Sequence, residues 1–301
     1  MATILITGIT GFIGTHLAAH LTRQGHRVVG TTTGTSDNAM QCSLHDYEQV
    51  ASVVRTVDPD VLIHLAALSS VTSGTTMQYY ETNVLGTEHV LKAIDSLGGR
   101  RRIMFSSTAG VYGNQNTEIL TENLTPKPVS HYGISKHAAE CLVMNYRDKH
   151  DITILRPFNV VGTGQNADFI VPKLVNHFAK KAPSIRLGNL DPVRDYIDVD
   201  VCCRMIADVL DKSASFGEVL NVCAGSGKSV RDLLEIMTRI SGHEIDVVSA
   251  PEFMRKNEVM RLLGDPAKIN AILPARDNTN DLEKVIGEML SDARNRLKGV
   301  Q

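Results

Sequence analysis

Short, continuously apolar runs alternate with longer stretches of helical period through the first half of the chain. ATILITG, RVVG, VLIHLAA, RIMFSS and ITILRP are apolar at successive positions, the pattern of strands buried on both faces. Between them, Gly11 to Gln24, Asp46 to Val57, Met77 to Leu97 and Tyr132 to His150 place apolar residues at helical spacing. This alternation predicts an α/β fold whose parallel sheet is covered on both faces. Right-handed crossovers make that sheet doubly wound.

After about Gly164 the rhythm loosens into turns, a helix and short strands. A helix over Val199 to Leu210, a strand in GEVLNVCAG and a helix over Val230 to Ile240 follow. Low-complexity tracts, internal repeats and flexible linkers are absent from the sequence. The expected organisation is a sheet domain over 1–165, with 195–211 and 217–242 returning to it. Residues 166–194 and 243–301 are expected to form a smaller interleaved α/β lobe, with a substrate cleft between the two.

Composition narrows the partners. The 301 residues carry a net charge of −2, so no basic surface argues for nucleic acid. No apolar run is long and charge-free enough to span a bilayer, and the N-terminus lacks the pattern of a secretory signal. The five cysteines form no C-x-x-C pair and sit in no zinc-like cluster. Reduced thiols, no metal and a cytoplasmic location are the expectations.

The first strand runs directly into TGITGFIGTHL, where Gly8, Gly11 and Gly14 form G-x-x-G-x-x-G at a strand-to-helix junction. Glycine there permits a tight turn and lets backbone N–H groups approach a pyrophosphate at a helix N-terminus. The pattern is expected to form the phosphate cradle of a Rossmann dinucleotide site, the alternative being a turn that only packs the helix on the sheet. An acid ending the second strand would select NAD by holding the adenosine ribose. VVGTTTGTS places Thr32 there instead, so no carboxylate repels a 2′-phosphate, and NADP(H) is expected over NAD(H).

SHYGISKHAAE puts Tyr132 and Lys136 on one helix face at i and i+4. A nearby cation is expected to stabilise the Tyr132 phenolate and bring its pKa toward working range. FSSTAGVYG ends a strand in the hydroxyls Ser106, Ser107 and Thr108, followed by Ala109 and Gly110.

With these motifs in hand, the chain resembles the extended short-chain dehydrogenase/reductases, which act on nucleotide sugars as epimerases, dehydratases and reductases. TGITGFIG, HLAA, NVLGT, SSTAGVYG, YGISK, RPFNVVGTGQ, GNLDPVRDYIDV and LNVCAG stand in the family's order over nearly the whole chain. RPFN, GNL, VRD and NEVMRLLGDPAKI look most like the GDP-4-keto-6-deoxy-D-mannose reductases, which make GDP-D-rhamnose. The tail AILPARDNTN departs from them in lacking a tryptophan-containing segment.

The resemblance implies roles residue by residue. Thr108 matches the hydroxyl that bonds the sugar carbonyl, Tyr132 the general acid/base, and Lys136 the residue that binds the nicotinamide ribose. Gly8, Gly11, Phe12, Ile13 and Gly14 match the cofactor loop. Leu65, Ala66 and Ala67 match the strand end beside the cofactor, with Asn83 a further cofactor-side position. Ser43 stands where many relatives carry an adenine-contacting Asp. Ser107 and Thr108 are expected at the sugar, Asn159, Arg194 and Arg255 at the diphosphate, and Glu258 at a ribose. The family also implies a homodimer through the two long helices.

Other readings are weighed on the same residues. AGSGKSV is no P-loop, because Val222 replaces the first glycine, and Lys228 is expected in a solvated loop. His64 ends an apolar strand, where a satisfied core histidine is expected. Arg194 could pair with Asp195 in a structural ion pair, and Arg156 reads as structural. A 4,6-dehydratase needs an acid and a base beyond Tyr132, in relatives an acidic pair right after the catalytic hydroxyl. Ala109 and Gly110 occupy those positions and move no proton. Reduction of a C4 ketone with NADPH is the expected reaction. A 4-epimerase, a dehydratase and a non-catalytic NADP-binding regulator remain as alternatives.

Overall fold

The computed structural model describes residues 1–69, 75–253, 258–273 and 279–299. In chain order the elements are β1 (Thr3–Thr7), α1 (Phe12–Arg23), β2 (Arg27–Thr32), β3 (Met40–Gln41), α2 (Tyr47–Val57), β4 (Val61–His64), α3 (Thr76–Tyr80), α4 (Gly86–Ser96), β5 (Arg102–Ser106), α5 (His131–Met144) and β6 (Asp151–Pro157). There follow β7 (Asn159–Val161), α6 (Ile170–Ala179), β8 (Ser184–Leu187), β9 (Val193–Asp198), α7 (Val199–Asp208), β10 (Glu218–Val222), β11 (Gly227–Ser229), α8 (Val230–Ser241), β12 (Asp246–Ser249), β13 (Arg261–Leu262), α9 (Ala267–Ile272) and α10 (Leu282–Lys298).

The main sheet has seven parallel strands in the order β10-β6-β5-β4-β1-β2-β3. The chain reverses direction across the sheet between β1 and β4, which opens a crevice at their C-terminal ends. The expected doubly wound sheet is present, with short β3 as an unanticipated edge strand.

Two apolar cores sandwich it. Leu17 and Leu21 of α1 pack with Val199 to Leu210 and Ile269 against Ile4, Ile6 and Ile63 on one face. Val50, Val54, Val90, Leu91, Ala139 and Val143 cover Leu5, Leu62 and Ile103 on the other. Alternate residues of β1 thus feed opposite cores, as a strand's period of two requires. Of the segment 217–242, β10 joins the main sheet, while α8 packs with α6 and α10 in a third core. Beside that core, β7 and β9 pair in parallel, β11 and β13 flank β9, and β12 pairs with β8.

The long helix expected over Met77 to Leu97 contains a π turn at Glu81–Leu85 between α3 and α4. Such a turn widens the helix and frees main-chain groups for side-chain partners. The helix expected from Tyr132 to His150 stops at Met144. Asn145 to Lys149 continue as hydrogen-bonded turns, where Asn and Asp are weak helix formers.

Arg102 fastens the opposite end of the sheet. Its Nε donates to the Leu210 carbonyl at 2.9 Å, Nη1 to the Asp151 carbonyl at 3.0 Å, and Nη2 to Thr153 Oγ1 at 2.8 Å and Ser215 Oγ at 2.9 Å. It also lies 4.6 Å from the Phe216 ring centroid. Arg102→Met removes all these donors at once and is expected to cost about 3 kcal/mol, a Tm fall of roughly 6 °C or more. A loss under about 1 kcal/mol in chemical denaturation would contradict this role.

Candidate active site

The glycine-rich turn between β1 and α1 is shaped for a ligand that approaches its backbone. Gly8 has φ of +73°, and a Cβ there would lie 2.9 Å from the Ala66 Cα. A Cβ on Gly14 would lie 2.3 Å from the Gly8 carbonyl oxygen. The N-cap is Gly11, which offers no side chain to the first-turn N–H groups, and that turn contains no acidic residue. Those open donors fit a dinucleotide pyrophosphate. Phe12 and Ile13 begin α1, with Phe12 edge-on to His16 at 5.6 Å and the Ile13 carbonyl facing Cys203.

At the end of β2, the Thr32 hydroxyl accepts from the Gly34 N–H at 3.2 Å and pairs with Thr10 Oγ1 at 2.9 Å. A hydroxyl-bearing turn therefore stands where an acid would select NAD. Ser43 lies just after β3, where its N–H donates to Gln49.

Thr108 follows β5 and caps a short 3-10 turn, with its Oγ1 accepting from the Gly110 N–H at 3.1 Å. The Thr108 hydroxyl lies close enough to the Tyr132 phenol to favour its ionised form, so the two expected catalytic hydroxyls meet. Ser130 caps α5 through the Gly133 N–H, which sets Tyr132 in the first helical turn. A Cβ on Gly133 would lie 2.7 Å from the Gly110 oxygen, so glycine lets α5 approach the Thr108 turn this closely.

Lys136 sits one turn further on, only 2% exposed, with its ammonium 4.2 Å from the Phe105 ring centroid. Burial lowers its pKa to about 7, with the Glu140 carboxylate opposing the shift. Glu140 accepts two charge-assisted bonds from Arg156, at 2.9 and 2.8 Å, and is held down to about 2. Arg156 also lies over the Tyr112 ring at 4.8 Å, in keeping with its structural reading. The Tyr132 phenol is raised rather than lowered, because burial outweighs the Thr108 bond. The depression expected from Lys136 is not a property of this structure.

Ser107 and Ala109 are buried, and Ala109 packs with Val111, Tyr112, Leu120 and Phe158. Leu65, Ala66 and Ala67 follow β4 toward the glycine turn. Asn83 is fully buried in the π turn. Its Oδ1 accepts from the Leu68 N–H at 2.8 Å, and its Nδ2 donates to the Leu68 carbonyl and to Ser135 Oγ. It therefore clamps the chain after β4 rather than presenting its amide at the crevice.

The expected sugar-nucleotide residues lie around β9. Asn159 on β7 donates to the Asp195 carbonyl at 3.1 Å, Arg194 on β9 donates to the Val193 carbonyl at 3.0 Å, and Glu258 accepts from Asn189 at 3.2 Å. Arg255 lies outside the described residues. Asp195 is buried and accepts from the Ala224, Gly225 and Gly264 N–H groups, in place of a simple pair with Arg194. Lys228 is exposed but belongs to β11, opposite Arg194, not to a loop. Among the described residues no His, Cys, Asp and Glu group could hold a metal, and no helix is long and apolar enough to cross a membrane. All five cysteines are free.

Residues 4–223 match the NAD dependent epimerase/dehydratase family. A GDP-6-deoxy-D-talose 4-dehydrogenase of Aggregatibacter actinomycetemcomitans is 39% identical, covering 95% of this chain and 96% of its own. A GDP-6-deoxy-D-mannose reductase of Pseudomonas aeruginosa is 28% identical, covering 89% of each. The structure of RMD from Pseudomonas aeruginosa with NADPH superposes with a TM-score of 0.85 at 26% identity, over 98% of this chain and 99% of that one. The Thermus thermophilus UDP-glucose 4-epimerase with NAD gives 0.85 at 27% identity, over 97% and 98%. The chain belongs to the NAD dependent epimerase/dehydratase family.

Because folded Lys136 gives up its proton near pH 7 while the unfolded chain holds it to about 10.5, burial penalises the fold most at low pH. The penalty fades as pH rises, so Lys136 adds a slope of up to about 1.4 kcal/mol per pH unit, stability rising with pH. Between pH 7 and 9, Lys136→Met should be less pH-dependent than the parent in urea denaturation. Parallel curves would contradict the burial of this charge.

Proposed function

We propose that this family member catalyses NADP(H)-dependent hydride transfer at C4 of a GDP-linked 6-deoxyhexose, interconverting the 4-ketone with a C4 alcohol. The observation that carries this reading is the convergence of the Tyr132 phenol and the Thr108 hydroxyl at the end of β5, with Lys136 one turn along the same helix.

The nicotinamide supplies or takes the hydride when bound. Gly8, Gly11, Phe12, Ile13 and Gly14 hold the pyrophosphate, and Leu65, Ala66 and Ala67 form the wall beside it. Lys136 binds the nicotinamide ribose. Thr108 holds the C4 oxygen, and Tyr132 gives it a proton as the ketone is reduced or removes that proton in the reverse direction. Ser107 supports the sugar end. Asn159, Arg194 and Arg255 bind the diphosphate, for which the arginine fork is suited, and Glu258 binds the ribose. Asn83 serves the cofactor site indirectly, through Leu68.

Dehydration is disfavoured because Ala109 and Gly110 carry no proton, and the Ala109 methyl faces a core. NADP(H) is favoured over NAD(H) because Thr32 and Thr10 offer hydroxyls without a carboxylate to repel a 2′-phosphate. The working form in this reading is a cytoplasmic homodimer paired through the α3–α4 stretch and α5, on which Leu85 and Ile134 are exposed.

The talose and mannose alcohols named for the two relatives differ only at C4 and share one ketone. The higher identity of the first favours GDP-6-deoxy-D-talose as the alcohol. GDP-D-rhamnose, the product implied by the sequence motifs, is the second reading.

With GDP-4-keto-6-deoxy-D-mannose, the protein should oxidise NADPH, and proton NMR of the product assigns C4. Tyr132→Phe should lower kcat about a hundredfold or more while NADPH affinity stays within about threefold. NAD-dependent 4-epimerisation of a nucleotide sugar without net NADPH consumption would overturn the proposal.

A further inference from the structure

A buried file of hydrogen bonds runs from the strand ends behind the glycine turn to the helix that carries Tyr132. The Ala66 N–H donates to Thr7 Oγ1 at 3.2 Å, and that oxygen lies 2.6 Å from His64 Nδ1. His64 Nε2 lies 3.0 Å from Thr87 Oγ1, which donates to the Asn83 carbonyl at 2.7 Å. The Asn83 side chain grips both main-chain groups of Leu68 and donates to Ser135 Oγ at 3.0 Å. Ser135 Oγ in turn donates to the Tyr132 carbonyl at 2.8 Å. Thr7, His64, Asn83, Thr87 and Ser135 are each at most 2% exposed.

The direction of the file is forced. Thr87 has one hydroxyl hydrogen, spent on the Asn83 carbonyl, so His64 Nε2 must carry a hydrogen and donate. A neutral imidazole then presents Nδ1 as an acceptor, which takes the Thr7 hydroxyl hydrogen. Thr7 Oγ1 remains the acceptor for the Ala66 N–H. Every proton is used once, and the file closes only with His64 neutral. Burial, with Lys136 nearby, holds the imidazole pKa down to about 3.

A core histidine needs partners but no particular addresses. These partners stand at places with consequences. Ala66 packs on Gly8 so closely that a Cβ there would reach 2.9 Å from its Cα. Leu68 continues the same segment, and Ser135 holds the main chain of Tyr132. We propose that His64 is a positioning residue that couples the backbone at Ala66–Leu68, beside the cofactor turn, to the helix start that carries Tyr132. This rests on the reading of that segment as the cofactor wall. Breaking the file at either end loosens the same unit, so the two ends act as one.

A double-mutant cycle on dinucleotide affinity tests this without any sugar substrate, so a failure of the C4 assignment would not obscure it. Dissociation constants for NADPH and NADH are measured by fluorescence for the parent, His64→Phe, Ser135→Ala and the double variant. Each single change should weaken binding about tenfold, and the double no further than the worse single. Unaltered binding in His64→Phe, or losses that multiply to about a hundredfold, would overturn the coupling. His64→Phe strands two buried hydroxyls and could fail to fold. Thr87→Val cuts the file at the next link, and in the same cycle the same two outcomes decide.

Discussion

Placing the Lys136 ammonium inside the protein is the demand that the rest of the site is built to meet. A buried charge is costly unless something compensates it. Here the compensation comes from the Phe105 ring face below it and from the Glu140 carboxylate one turn on. Glu140 stays ionised because Arg156 grips it with two bonds, and Arg156 is itself seated over Tyr112. Phe105 belongs to β5, Arg156 to β6, and Lys136 and Glu140 to α5. Compensating one cation therefore fixes two strands and a helix against each other. Tyr132 and Thr108 are brought together by that same registration.

Much of this was legible because it is local. The parallel strands announce themselves as continuous apolar runs, and the glycine turn as a triplet at a strand end. Tyr132 and Lys136 share a face because the helical period puts them there.

The remainder depends on pairings that no window of sequence contains. Thr7 meets His64 across 57 residues, and Asn83 meets Ser135 across 52. In sequence His64 reads as a satisfied core histidine at a strand end, with no sign of which groups satisfy it. The resemblance places Asn83 on the cofactor side, and it cannot register the π turn that sinks the amide onto Leu68. Lys228 joins a strand because Arg194 lies opposite it, which no local turn signal in GSGKS reveals. The Tyr132 phenol departs from expectation for the same reason. Its pKa follows the depth at which the fold encloses it, opposed by the Thr108 hydroxyl and not by a cation.

What distinguishes the proposed reaction from epimerisation and dehydration is where the hydride goes and what else moves with it. The candidate site sets the Tyr132 phenol beside the Thr108 hydroxyl and has Ala109 and Gly110 at the next two positions. In the proposed reading hydride is exchanged at C4, and neither Ala109 nor Gly110 can move a proton at C5. The most direct measurement is the fate of label from NADPH carrying deuterium at the transferable nicotinamide position, read by NMR of the sugar nucleotide formed. The account predicts one deuterium at C4 and none at C5 or C6. Label at C6, or a product free of deuterium, would contradict it.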